Sequence, residues 1–81
     1  MMQISDVTGR RYEAEDCVFF RNYIQSAFYI AHGCELVDIF TDSKMKLVFV
    51  FWKKEHNNMI ELWMNNKIVK EMERERKKEQ E

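Results

Sequence analysis

The chain has 81 residues, no Pro and two Gly, which is the length of one small domain. Hydrophobic residues make up 46% and charged residues 33%, a globular rather than a disordered composition. Thirteen basic residues against fourteen acidic ones leave a formal net charge of -1, which argues against a broad basic surface built for nucleic acid.

Met2 and Ile4, followed by Asp6, Thr8 and Gly9, read as a short extended piece and a turn. Residues 12–15 read as a second extended piece leading into a helix. Asp16 is the expected N-cap, with Glu13 and Glu15 adding negative charge beside the positive helix end. Cys17, Phe20, Ile24, Ala27, Phe28 and Ala31 recur at spacings of three and four, which predicts one amphipathic helix. Gly33 sits where a helix ends in a left-handed residue, with His32 beside the negative end of its dipole. Glu35 to Thr41 reads as a strand, Asp42-Ser43-Lys44 as a turn, and Met45 to Trp52 as the strongest strand of the chain. The short link between the two strands predicts an antiparallel hairpin. Asn57 or Asn58 is the expected cap of a second helix carrying Met59, Ile60, Leu62, Trp63 and Met64. That helix either breaks at Asn65-Asn66 or runs on through Ile68, Val69 and Met72. Residues 1–69 form the predicted α+β domain, and 70–81 a charge-neutral tail with helical i,i+3 and i,i+4 charge pairs.

The second strand is apolar on both sides: Leu47, Phe49 and Phe51 alternate with Val48, Val50 and Trp52. A half-exposed antiparallel strand normally alternates apolar with polar, so something must cover the second side. That cover is either the second helix or the N-terminal segment of the same chain, or it is a twin subunit or another protein. Large exposed apolar patches mark interaction surfaces, and Trp is enriched at interface hot spots. Val48, Val50, Trp52 and Trp63 are therefore the candidate interface residues. Arg10, Arg11, Arg21, Lys44, Lys46, Lys53 and Lys54 are the candidate nucleic-acid contacts, though Asp42 and Glu55 stand beside Lys44 and Lys54.

Catalytic and cofactor signals are weak. Gly9 and Gly33 do not form a phosphate-binding loop. Cys17, His32, Cys34 and His56 lack a recognised metal spacing, and no cofactor is expected. A predicted helix separates the two cysteines, so they are expected as free thiols in a reducing compartment. The longest apolar run, Leu47 to Trp52, falls far short of the roughly 20 residues of a membrane span. The N-terminus lacks the apolar stretch of a secretory signal, so a cytoplasmic location is expected.

Tyr12 and Asp16 before a helix, Gly33 at its end, the strand Leu36-Val37-Asp38-Ile39, the strand Val48 to Phe51, and the later Leu62, Trp63 and Asn65 form a pattern. From Tyr12 to about Ile68 it resembles small uncharacterised domains of bacteriophage and integrative-element proteins. The lead before Tyr12 and the tail after Val69 look like additions to that pattern. The resemblance implies a setting rather than a mechanism: small proteins of mobile elements often bind and redirect host proteins, immune effectors included. The expectation is a non-enzymatic protein-interaction module of a phage or mobile element, a homodimer, with inhibition of a host-defence protein as its role. The alternative is a nucleic-acid-binding accessory protein or transcriptional regulator.

Overall fold

The computed structural model describes residues 1–80, with side chains described up to Lys67 and again at Lys70. In chain order the elements are β1 (Met2–Ile4), β2 (Arg11–Glu13), a 3-10 turn (Ala14–Asp16), β3 (Cys17–Phe20), α1 (Tyr23–Ala31), β4 (Leu36–Thr41), β5 (Leu47–Trp52) and α2 (Lys53–Gln80). The fold is α+β, as expected. Strands β1 and β2 form an antiparallel hairpin, and a second antiparallel sheet has the order β3-β5-β4.

The β4–β5 hairpin forms where the sequence places it. Asp42 organises its turn: the Oδ1 atom accepts from the backbone N–H groups of Lys44 and Lys46 at 2.8 and 3.0 Å. Met45 closes the turn at φ 62, a left-handed conformation that normally falls to Gly. Gly33 ends α1 in a Schellman arrangement, with Gly33 N–H on the Ile30 carbonyl and Cys34 N–H on the Tyr29 carbonyl.

The first helix is shorter than its periodicity predicts. Cys17-Val18-Phe19-Phe20 is not its first turn but β3, paired with β5 in the register Cys17↔Trp52 to Phe20↔Phe49. These β-branched and aromatic residues satisfy their backbone on a strand edge that local spacing does not reveal. Asp16 therefore caps nothing helical. Asn22 does, accepting from Ile24 N–H and Gln25 N–H, both at 3.1 Å.

Two cores lie on opposite faces of the sheet. Phe49 and Phe51 meet α1 and α2 around Tyr29, Cys34 and Trp63. Val50 meets Tyr12, Cys17 and Val37, with Trp52 against them. The N-terminal hairpin covers this second face by way of Tyr12. It is tied down through Thr8, whose hydroxyl donates at 2.6 Å to the carbonyl of Val37, the extra residue of a bulge in β4. Ser5 is buried and accepts from Val7 N–H and Thr8 N–H, which shapes the turn.

The second helix starts at Lys53, directly after β5, not at Asn57 or Asn58. Side chains of its first turn supply the anchors. Glu55 accepts from Glu35 N–H at 2.9 Å, and His56 Nδ1 meets the Tyr29 hydroxyl at 2.8 Å. The helix continues without a break through Asn65-Asn66 and past residue 69, spanning 28 residues, about 42 Å. Met59, Ile60 and Trp63 bind its first turns to the core. The charge pairs expected in 70–81 involve side chains outside the described residues, as does Glu81 altogether.

Candidate interaction surfaces

The four residues predicted as an interface are not brought together on one exposed surface. Val48, Val50 and Trp63 are buried within the chain's own cores. The expected surface is filled because the N-terminal hairpin and α2 cover it, as one of the two sequence-level alternatives required. Trp52 is half-buried. Its indole N–H donates to Glu35 at 2.6 Å and Arg10 lies over its ring, 5.9 Å from the centroid. Arg10 is also paired with Glu35 at 2.8 Å.

The seven candidate basic residues separate into groups. Lys53 and Lys54 line an open cavity beside Trp52, together with Glu15, Asp16 and Glu55. Lys53 donates to the carbonyl of Glu15 at 2.8 Å. Arg21 and Lys46 line a second groove, of about 410 Å³, with Tyr23, Leu47 and Phe49. Arg21 is paired there with Asp42 at 2.8 Å. Backbone N–H groups of Lys46 and Lys44, with Arg21 adding its charge, hold the Asp42 carboxyl below the usual carboxylate range. Arg11 is exposed on β2 and Lys44 in the β4–β5 turn. Acidic residues thus accompany Lys53 and Lys54 in the first cavity and pair with Arg21 beside the second.

An exposed apolar surface lies on α1 and is inverted from the expected amphipathic pattern. Its buried residues are Gln25, Ser26 and Tyr29. Tyr23 and Ile24 are 69% and 55% exposed, Ile30 is 44% exposed, and Ala27 and Ala31 are exposed beside them. At 100° per residue these five positions fall within an arc of about 120°. The helix turns its polar side chains inward because each finds a partner there. Ser26 Oγ donates to the Asn22 carbonyl at 2.9 Å, and Gln25 Nε2 donates to Tyr29 Oη at 3.1 Å. The Tyr29 hydroxyl also lies within hydrogen-bond distance of His56 Nδ1, at 2.8 Å. Burial pushes the His56 pKa down.

A second exposed apolar group lies on the sheet face covered by the N-terminal hairpin. Phe19 on β3 and Phe40 on β4 flank the central strand opposite Val50 and Val48, and their rings meet edge to face at 6.3 Å. Beside them is a cavity of about 320 Å³ that reaches Tyr12 and Asp38. Sequence reading missed both groups, because Phe19 belongs to a strand masked by helical spacing. The signal available for it was the run of β-formers between Asp16 and Asn22.

The four metal-ligand candidates do not converge. Cys17 and Cys34 lie in different cores as buried free thiols, and burial pushes both thiol pKa values up. Among the described residues no three His, Cys, Asp or Glu side chains gather as a metal site, and no helix is long and apolar enough to cross a membrane. Comparison with protein-family models, with curated proteins and with solved structures gives no match to this chain.

Proposed function

We propose that the chain is a non-enzymatic protein-interaction module that pairs with a second copy of itself through the outer face of α1. The observation that carries this is the inverted helix: Tyr23, Ile24, Ala27, Ile30 and Ala31 are exposed while Gln25 and Ser26 are buried. The pattern 23, 24, 27, 30, 31 is symmetric about Ala27. In an antiparallel pair crossing at Ala27, Tyr23 and Ile24 of one copy meet Ile30 and Ala31 of the other, which is the self-complementarity of an isologous interface. The chain has no Asp, Glu, Lys or Arg between Arg21 and Glu35, so no charge repels its twin there. One short helix face is smaller than a standard interface of about 800 Å² per partner, so the pairing is weak and concentration-dependent. On the resemblance set out above, the setting is a bacteriophage or mobile element, and a host-defence protein is the class of further partner which that setting implies.

A charge-swap experiment tests the pairing. Ala27→Glu and Ala27→Lys each place like charges across the two-fold at the crossing point, while both residues keep good helix propensity. In sedimentation equilibrium each variant is expected as a monomer with unchanged helicity, and an equimolar mixture is expected to pair. Variants that associate as the parent does would reject α1 as the interface.

A second reading, binding of single-stranded nucleic acid, has one observation in its favour: exposed Tyr23 stands in a groove with Arg21 and Lys46. A gel-shift series at two salt concentrations tests it, because phosphate contacts make binding steeply salt-dependent. Absence of a shift at low salt removes this reading.

A further inference from the structure

The cavity between the N-terminal hairpin and the sheet has a chemistry that neither the fold nor α1 pairing requires. Tyr12, Phe19 and Phe40 contribute three aromatic rings to its lining, and Ile4 an aliphatic side chain. Asp38 also lines it, although only 6% of that residue is exposed. The Asp38 carboxylate is held by neutral donors: the Tyr12 hydroxyl at 2.6 Å and the Ile39 backbone N–H at 2.8 Å. Burial and the neighbouring carboxylate push the Tyr12 pKa up, so its proton stays in place to make this bond. Asp6 adds a second carboxylate to the lining, and among the described residues no Lys, Arg or His lines the cavity. A buried carboxylate is ordinarily paired with a cation. Here each oxygen accepts one bond from a neutral donor, and among the described residues no cationic side chain is paired with it.

We propose that this cavity binds an alkylated ammonium group, seated against the Tyr12, Phe19 and Phe40 rings and drawn in by Asp38. The rings present negative faces to a cation, and attraction is strongest for cations that shed water readily. Each Asp38 oxygen already accepts one bond, so the carboxylate has two of its four lone-pair sites left for the three donors of a primary ammonium or the five of a guanidinium. A methylated or quaternary ammonium needs charge and apolar contact alone. At about 320 Å³ the cavity is at the lower end of small-ligand sites, which suits one head group and its stem. Phe19 and Phe40, 44% and 40% exposed in the free protein, are the side chains that such a ligand would cover. The site is separate from the α1 face, so either proposal can fail without the other.

The test is an NMR titration of the full chain with choline and with tetramethylammonium, using 3,3-dimethylbutanol as the uncharged isostere of choline. Saturable shifts are expected at Tyr12, Phe19 and Phe40 with both cations and not with the alcohol. Phe19→Leu and Phe40→Leu keep the apolar volume and remove the ring, and each is expected to weaken binding by about threefold to tenfold. Asp38→Asn is expected to abolish it, with the two Phe variants as the safeguard if that buried change unfolds the chain. A trimethyllysine peptide and phosphatidylcholine vesicles then distinguish a protein source from a lipid source, and binding of either supports the site. No saturable shift with either cation, or an equal response to the alcohol, would overturn the proposal.

Discussion

Met45 shows how a single residue can sit against its own preference. Its left-handed backbone closes the β4–β5 turn, and its side chain is 81% exposed, so the conformation gains nothing from packing. A left-handed L-residue costs roughly 1–2 kcal/mol, which Gly avoids while giving back part in unfolded-state entropy. Met45→Gly is therefore expected to stabilise the chain by about 0.5–1 kcal/mol, read as a higher urea midpoint at unchanged slope. Gly33 is the converse case. Its φ of 90 matches its residue type, and the turn it makes was legible because a left-handed glycine after a helix is a purely local signal.

At the scale of elements, the parts that could be read from sequence were those decided by near neighbours. The β4–β5 hairpin is one, since Asp42 and the alternation on each side of it are contiguous. Strand β3 was not legible, because its pairing partner lies some thirty positions downstream and its spacing happens to match a helical one. The buried face of α1 was misread for a related reason. Hydrophobicity assigns Ile24, Ala27 and Ala31 to the core, but the partner that admits Tyr29 is His56, on another helix. The same histidine makes the contact between α1 and α2 sensitive to acid. Protonating His56 puts a charge in a half-buried site beside the Phe20 and Tyr29 rings. With the folded-state pKa below the ordinary 6.5, unfolding takes up a proton as pH falls. This contribution is complete above that ordinary value and is lost as pH drops through the depressed one. Denaturant midpoints measured from pH 7.5 to 5 are expected to fall, and to fall less in His56→Gln, which can still hydrogen-bond the tyrosine but does not titrate.

The whole molecule is a sheet between unequal covers. One face carries two helices, and the other carries a hairpin of two three-residue strands with the Thr8 tether. Opening of the lighter cover needs fewer contacts to break, so the two faces are expected to open at different free energies. The cysteines report on each side, Cys17 beneath the hairpin and Cys34 beneath the helices. In single-cysteine variants, a thiol reagent under native conditions is expected to label Cys17 faster than Cys34, and both far more slowly than in urea. Equal rates would mean that the faces open together. The candidate surfaces reflect the same division, since the cavity at Phe19 and Phe40 is lined by the N-terminal segment on one side and the sheet on the other.

The junction of β5 and α2 has no loop: Trp52 is the last residue of one and Lys53 the first of the other. Most connections absorb an inserted or deleted residue by bulging outward. This one has no slack, so the rotational phase of the helix is set by the strand. One residue added at the junction turns everything after it by about 100° and advances it by about 1.5 Å. Glu55 would leave Glu35, His56 would leave Tyr29, and Trp63 would leave Phe28, all in one step. Length variation among descendants of this chain should therefore collect in the turns around Gly9 and Ser43, and stop at this junction.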